Sequence, residues 1–219
     1  MHRPILRRAG IALTVVGLCD ISIMIYCIIN RISYSSSLNI FAVIAGIFLW
    51  RGSLRAAVIV RWIAALILGA FGALALAWPF IEPIDLLFVR FNLDPLGYLE
   101  AIALLLGILV FFYWINRELR RDALQIALME NGFKLRSQYI PAAVGTTFVA
   151  VVTIVALISL GGQRSQQAKS AAEERLGAGY RFNVKSLDIT STNSKTIITC
   201  VVVAWKKTEI QYITIRWEE

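Results

Sequence analysis

One histidine, His2, stands among 219 residues, and it lies at the start of the chain. Imidazole is the commonest general base and transition-metal ligand, so its absence elsewhere removes the usual hydrolase dyads and His-based metal centres. Cysteine is almost as scarce. Cys19 and Cys27 fall inside an apolar segment and Cys200 stands far from both. That spacing fits no zinc or haem motif and no disulfide framework. Acids are outnumbered, 14 Asp and Glu against 22 Lys and Arg, for a net charge of +8. No nucleophile elbow, Walker loop, HExxH helix or dinucleotide fingerprint occurs. The glycines of GAFGALA, 69–75, lie within an apolar run and not after a strand. These absences predict that the chain is not an enzyme and that it uses no cofactor and no metal.

Apolar residues, by contrast, make up 58% of the chain, where a soluble domain has roughly 45–50%. The excess comes in blocks, which is the pattern of membrane spans rather than of a rich core. Five spans are expected, at 9–30, 34–50, 61–80, 97–115 and 139–160. The first follows the basic start HRPILRR. Its apolar run is too long for a signal peptide, and no small-x-small cleavage site follows, so it reads as a signal-anchor. The second is short: at about 1.5 Å per residue it reaches about 25 Å, against a hydrocarbon core of about 30 Å. Pro141 sits in the first turn of the fifth, where its missing N–H costs little.

Charge sets the orientation. With the N-terminus inside, the inner segments hold Arg3, Arg7, Arg8, Arg51, Arg55, Arg61, Arg117, Arg120, Arg121, Lys134 and Arg136, and the outer loops hold only Arg31 and Arg90. That bias predicts a multi-pass protein of a bacterial inner membrane, N-terminus cytoplasmic and C-terminus extracytoplasmic. The stretch RGSLRAAVIVRW, 51–62, becomes an inner turn. On a helix its three arginines fall within an arc of about 120°. They are expected to meet lipid headgroups while Val58, Ile59 and Val60 bury.

After residue 160 the composition changes. QRSQQAKSAAEERL reads as a helix stopped by Gly177. YRFNVKSLDIT alternates, but its parity slips between Val184 and Leu187, which predicts a bulge. STNSK reads as a turn. TIITCVVVAW and EIQYITIRW are β-branched strands of a hairpin. The expected fold is thus a polytopic α-helical membrane domain over 1–160 and a small extracytoplasmic α+β domain over 161–219, with one helix and three antiparallel strands. A unit of that size is marginal alone.

Few residues qualify as site candidates. Asp20 is predicted near the middle of the first span, where a carboxylate costs several kcal/mol unless paired, protonated or wetted. It is either a proton or cation site or an anchor between helices. Glu100 lies at the outer boundary of the fourth span and can stay hydrated. Ala65, Gly69, Ala73 and Ala77 form a small-residue stripe for close helix packing. Leu119, Ala123, Ile126 and Ala127 suggest one docking face on a cytoplasmic extension of the fourth span that stops at Asn131-Gly132. Trp50, Trp62, Trp78, Trp114, Tyr98 and Tyr139 lie near span ends, as an aromatic belt does. Trp205 and Trp217 beside Lys206, Lys207 and Arg216 resemble a base-stacking surface, but an extracytoplasmic location argues against nucleic acid. The functional expectation is a non-enzymatic accessory or assembly protein that binds a protein partner, or a second copy, through its C-terminal domain. Its other partners are membrane lipids. The alternative is a small transporter or channel component using Asp20.

Overall fold

Apolar blocks with few breakers become helices, and the β-branched tail becomes a sheet. The computed structural model describes residues 2–32, 39–133, 137, 139–177, 179–192 and 195–218. Its elements in chain order are α1 (Arg3–Ile29), α2 (Asn39–Trp50), α3 (Leu54–Ile81), α4 (Ile84–Leu93), α5 (Pro95–Glu118), α6 (Asp122–Glu130), α7 (Tyr139–Gly161), α8 (Gln163–Leu176), β1 (Arg181–Thr192), β2 (Lys195–Lys206) and β3 (Glu209–Glu218). Among the described residues four helices, α1, α3, α5 and α7, are long and apolar enough to cross a membrane. The chain divides into two compact units, residues 1–71 with 107–146, and residues 72–106 with 147–219.

In the first unit α1 and α2 form a hairpin. A Cβ on Gly10 would lie 2.7 Å from both the Gly46 carbonyl oxygen and the Trp50 nitrogen, so the two backbones nearly touch. Of the expected second span, 34–50, the structure describes the part from Asn39 on, as α2. The helix covers 12 residues, about 18 Å, and 34–38 lie outside the described residues. The end of α2 lies beside Gly10 of α1.

Leu6, Ala9 and Leu13 of α1 pack with Leu49 of α2, with Ala57, Val60 and Ala64 of α3, with Ile115 and Leu119 at the end of α5, and with Leu124 and Leu128 of α6. Two expectations fail in this cluster. The turn expected over 51–62 is only Arg51–Ser53, with Gly52 at φ +85°. Ser53 Oγ then accepts a hydrogen bond from the Ala56 N–H at 3.3 Å and caps α3. Most of RGSLRAAVIVRW is thus helix, and its buried residues Ala57 and Val60 begin a row that Ala64 continues, while Ile59 is 58% exposed. The second failure is the predicted continuation of α5. The chain breaks at Leu119–Arg121 before α6 begins, and the break resets the helical phase. Leu124, Ala127 and Leu128 bury, whereas Ala123 and Ile126 face outward. The stop at Asn131-Gly132 stands, with Gly132 at φ +76°.

The second unit holds the sheet, in the order β1-β2-β3, all antiparallel. The register slips between Val184 and Ser186, where the alternation of the sequence slips too. Gly177, at φ +84°, ends α8. Part of the expected STNSK turn, 193–194, lies outside the described residues. One sheet face, with Val184, Cys200, Val202 and Ile215, packs on Ala168 and Ala172 of α8. The other face meets an element the sequence reading left as loop. Leu86 and Val89 of α4 pack against Val203 and Trp205. IDLLFVRFNL is apolar on several sides and shows no clean period, so the sheet selects its inward row. Asp94 accepts a hydrogen bond from the Gly97 N–H at 2.9 Å and starts α5 with Pro95 in its first position.

Candidate functional site

Asp20 is half-buried on α1. It continues the inward row that carries Leu6, Leu13 and Gly17, at three- and four-residue steps. Gly10 lies against Leu49 and Trp50, and Gly46 lies against Gly10 and Thr14. Running this antiparallel register on by helical turns brings Asp20 level with residues 39–40, where α2 begins.

Arg55 and Arg61 lie in the first turns of α3 and Arg51 just before them. Arg51 and Arg55 are exposed and Arg61 is half-buried. Arg61 lies close enough to Arg120 for the two like charges to repel. Glu100 is exposed near the start of α5 and belongs to the other unit than Asp20. Of the small-residue stripe, Ala65 is buried and Gly69 lies against the backbone of Ala142 in α7. Gly145 of α7 lies equally close to Leu66, and Thr146 Oγ1 donates to the Gly69 carbonyl at 3.2 Å. Ala73 and Ala77 are half-buried. The sequence candidates therefore do not converge on one site. Among the described residues no three of His, Cys, Asp and Glu come together.

Two features escaped the sequence reading. The first is Glu118, only 4% exposed. Its Oε2 pairs with Arg121 Nη2 at 2.8 Å, while Oε1 is buried without a hydrogen-bond partner. Glu118 lines a cavity of about 660 Å³ with Trp114, Arg117, Arg120, Arg121 and Asp122. A signal existed, because Glu118 falls on the row of Phe111, Ile115 and Leu119, but NRELRR reads as a solvated charge run.

The second feature is the hairpin end of the sheet. Tyr180 donates to Glu209 Oε2 at 2.9 Å, Lys206 pairs with Glu209 at 2.9 Å, and Lys206 Nζ stands 4.6 Å from the Tyr180 ring centre. Hydrogen bonds from Lys206, then from Gln211 and Tyr180, hold the Glu209 carboxyl down at about 2. The same cluster raises the Lys206 ammonium above its ordinary value, through Tyr180 first and Glu209 next. Arg181 pairs with Asp85, and Arg90 pairs with Glu82 at 2.8 Å and reaches the Tyr212 hydroxyl at 3.4 Å. Charge thus holds α4 to the sheet around the apolar contact.

These pairs leave the outer edges of β1 and β3 without a neighbouring strand among the described residues. The β1 edge is bent by its bulge, whereas β3 pairs with β2 from Lys206–Glu209 to Ile197–Glu218 without a slip. No family model matches the chain, and no curated protein or solved structure matches it.

Proposed function

We propose that the chain is a polytopic inner-membrane protein, N-terminus cytoplasmic, that acts as a non-enzymatic accessory or assembly factor. Its C-terminal extracytoplasmic domain binds a protein partner by accepting a strand along β3. The membrane part of this reading is supported by apolar side chains that the chain leaves uncovered, such as Leu104, Phe148 and Ile158 in α5 and α7. Lipid is the apolar medium that would cover them. The contact of α4 with the sheet fits an outer loop and an outer tail on one side.

The observation that carries the partner reading is the regular, ten-residue β3 edge. An unpaired edge is a template for strand addition. The apolar centres of both sheet faces are already packed on α8 and α4, whereas the β3 edge has no partner strand among the described residues. The two-residue turn Lys207–Thr208 makes Lys206–Glu209 a doubly hydrogen-bonded pair. Counting by twos, Gln211, Ile213 and Ile215 bond inward to β2, while Tyr212, Thr214 and Arg216 present their N–H groups outward. Thr214→Pro then blocks the outer edge without removing a β2–β3 bond. Purification from native membranes in mild detergent, with mass determination, is expected to give a stoichiometric complex that Thr214→Pro dissociates. A partner-free monomer, or a complex indifferent to Thr214→Pro, would refute the reading.

A second reading has one observation in its favour. Asp20 continues the inward row of α1, a helix long and apolar enough to span a membrane, and an ionisable residue within a span is by default a candidate for an ion or proton path. Ion-coupled flux in proteoliposomes that disappears in Asp20→Asn would establish it, and equal flux would remove Asp20 from any transport mechanism.

A further inference from the structure

We infer that the cavity at the α5–α6 break is a headgroup site for a zwitterionic phospholipid, one that joins a phosphodiester to a primary ammonium. This goes beyond the partner reading and rests only on the chain lying in a membrane. The lining carries both signs within nine residues of chain: Arg117, Arg120 and Arg121 against Glu118 and Asp122. A purely anionic ligand meets two carboxylates there, and a purely cationic one meets three guanidiniums. A group with both charges satisfies both sets.

Two further observations point to a ligand. The first is the orphaned Glu118 Oε1, on a side chain 95% buried, which calls for a hydrogen-bond donor. An ammonium supplies three. The second is the start of α6, a nine-residue helix whose cap residue, Arg121, makes no side-chain capping bond. Its first N–H groups and dipole favour a phosphate oxygen at the same wall, and exposed Arg117 and Arg120 add guanidinium donors. Arg120 already repels Arg61, a pressure that a bound phosphate relieves. Trp114, at the rim, is the residue type that sits at the depth of lipid headgroups. An acyl chain attached to this headgroup has the exposed apolar surface of α5 to lie along.

The test uses the full chain, delipidated in detergent, with native mass spectrometry after addition of phosphatidylethanolamine, phosphatidylcholine or phosphatidylglycerol. Phosphatidylcholine keeps the phosphodiester but has no N–H donor; phosphatidylglycerol keeps hydroxyl donors but is anionic. Phosphatidylethanolamine is expected to bind about tenfold or more tightly than either, the scale of one lost charge-assisted hydrogen bond. Asp122→Asn and Arg117→Gln, both at exposed positions, should each reduce that preference several-fold, and Glu118→Gln should abolish it. If Glu118→Gln fails to fold, the two exposed variants decide. Equal binding of the ethanolamine and choline lipids, or tighter binding of phosphatidylglycerol, would overturn the inference. So would full displacement by soluble phosphorylethanolamine or inorganic phosphate at the same concentration, which would mark a soluble ligand. Extraction of the native protein by carbonate, without detergent, would instead refute the membrane reading.

Discussion

Adding one methyl group at Gly10 should loosen the α1–α2 hairpin, although alanine is the better helix former. The new Cβ would lie 2.7 Å from the Gly46 oxygen and 2.7 Å from the Trp50 nitrogen. Ordinary contact begins near 3.4 Å, so the helices must part by about 0.7 Å. Both obstructing atoms belong to the backbone, and no rotamer change relieves them. Overpacking of this kind costs about 1–3 kcal/mol, and two backbone contacts put Gly10→Ala at the upper end. Alanine returns about 1 kcal/mol of helix propensity, leaving a net loss of about 2 kcal/mol. For a chain of this size that is a fall in Tm of about 4–8 °C. Gly72 and Gly107 are the controls, because a Cβ on either meets nothing within 4 Å. Gly72→Ala and Gly107→Ala should be neutral or raise stability by up to about 1 kcal/mol. The assay is thermal unfolding of the purified protein in one detergent, followed by tryptophan fluorescence. If Gly10→Ala melts at or above the wild-type temperature, the close approach of α1 and α2 is wrong.

Asp20→Asn should leave the melting temperature within about 2 °C, since the amide still accepts hydrogen bonds, whereas Asp20→Leu, which removes the polar group from the inward row of α1, should cost about 1–2 kcal/mol; equal stability of the two would show that no hydrogen bond depends on this side chain. Leu86→Ala removes a fully buried side chain between α4 and the sheet and should cost about 2–4 kcal/mol, seen as faster proteolysis at 81–94 and a shift in Trp205 emission. The hairpin cluster predicts a pH window. Glu209 is held down at about 2 from an ordinary 4.5, so its contribution is full above about pH 4.5 and is lost as pH falls towards 2. Lys206 is raised above its ordinary 10.5, so its contribution is full below that value and is lost in stronger base. Glu209→Gln should flatten the acid limb of a melting-versus-pH curve, and an unchanged limb would refute the cluster. Burial raises the Cys200 thiol, so maleimide at pH 7 should label it only after unfolding.

The elements that local chemistry specifies could be read in advance. α7 and α8 have uninterrupted patterns and clear stops, and the bulge in β1 is written in the slip between Val184 and Leu187. The failures share a cause. α4, the early start of α3 and the break before α6 depend on neighbours distant in sequence. Leu86 and Val89 have no favoured face until Val203 and Trp205 supply one, and Ala57 and Val60 are inward only because Leu6 and Leu49 lie opposite.

The candidate residues divide in the same way. Asp20 stands out in the sequence because one charge in a long apolar run is conspicuous, but the register that carries it towards α2 is set only by the packing of Gly10 on Gly46. Glu118 is hidden because its neighbours in sequence are charged, and only the packing of Phe111, Ile115 and Leu119 shows that a carboxylate has been carried inside. Sequence alone determined the apolar runs, the uneven spread of basic residues between them and the strand-forming tail, because each is a sum over adjacent residues. Which side chains meet is a matter of long-range geometry, and the tertiary structure alone decided it.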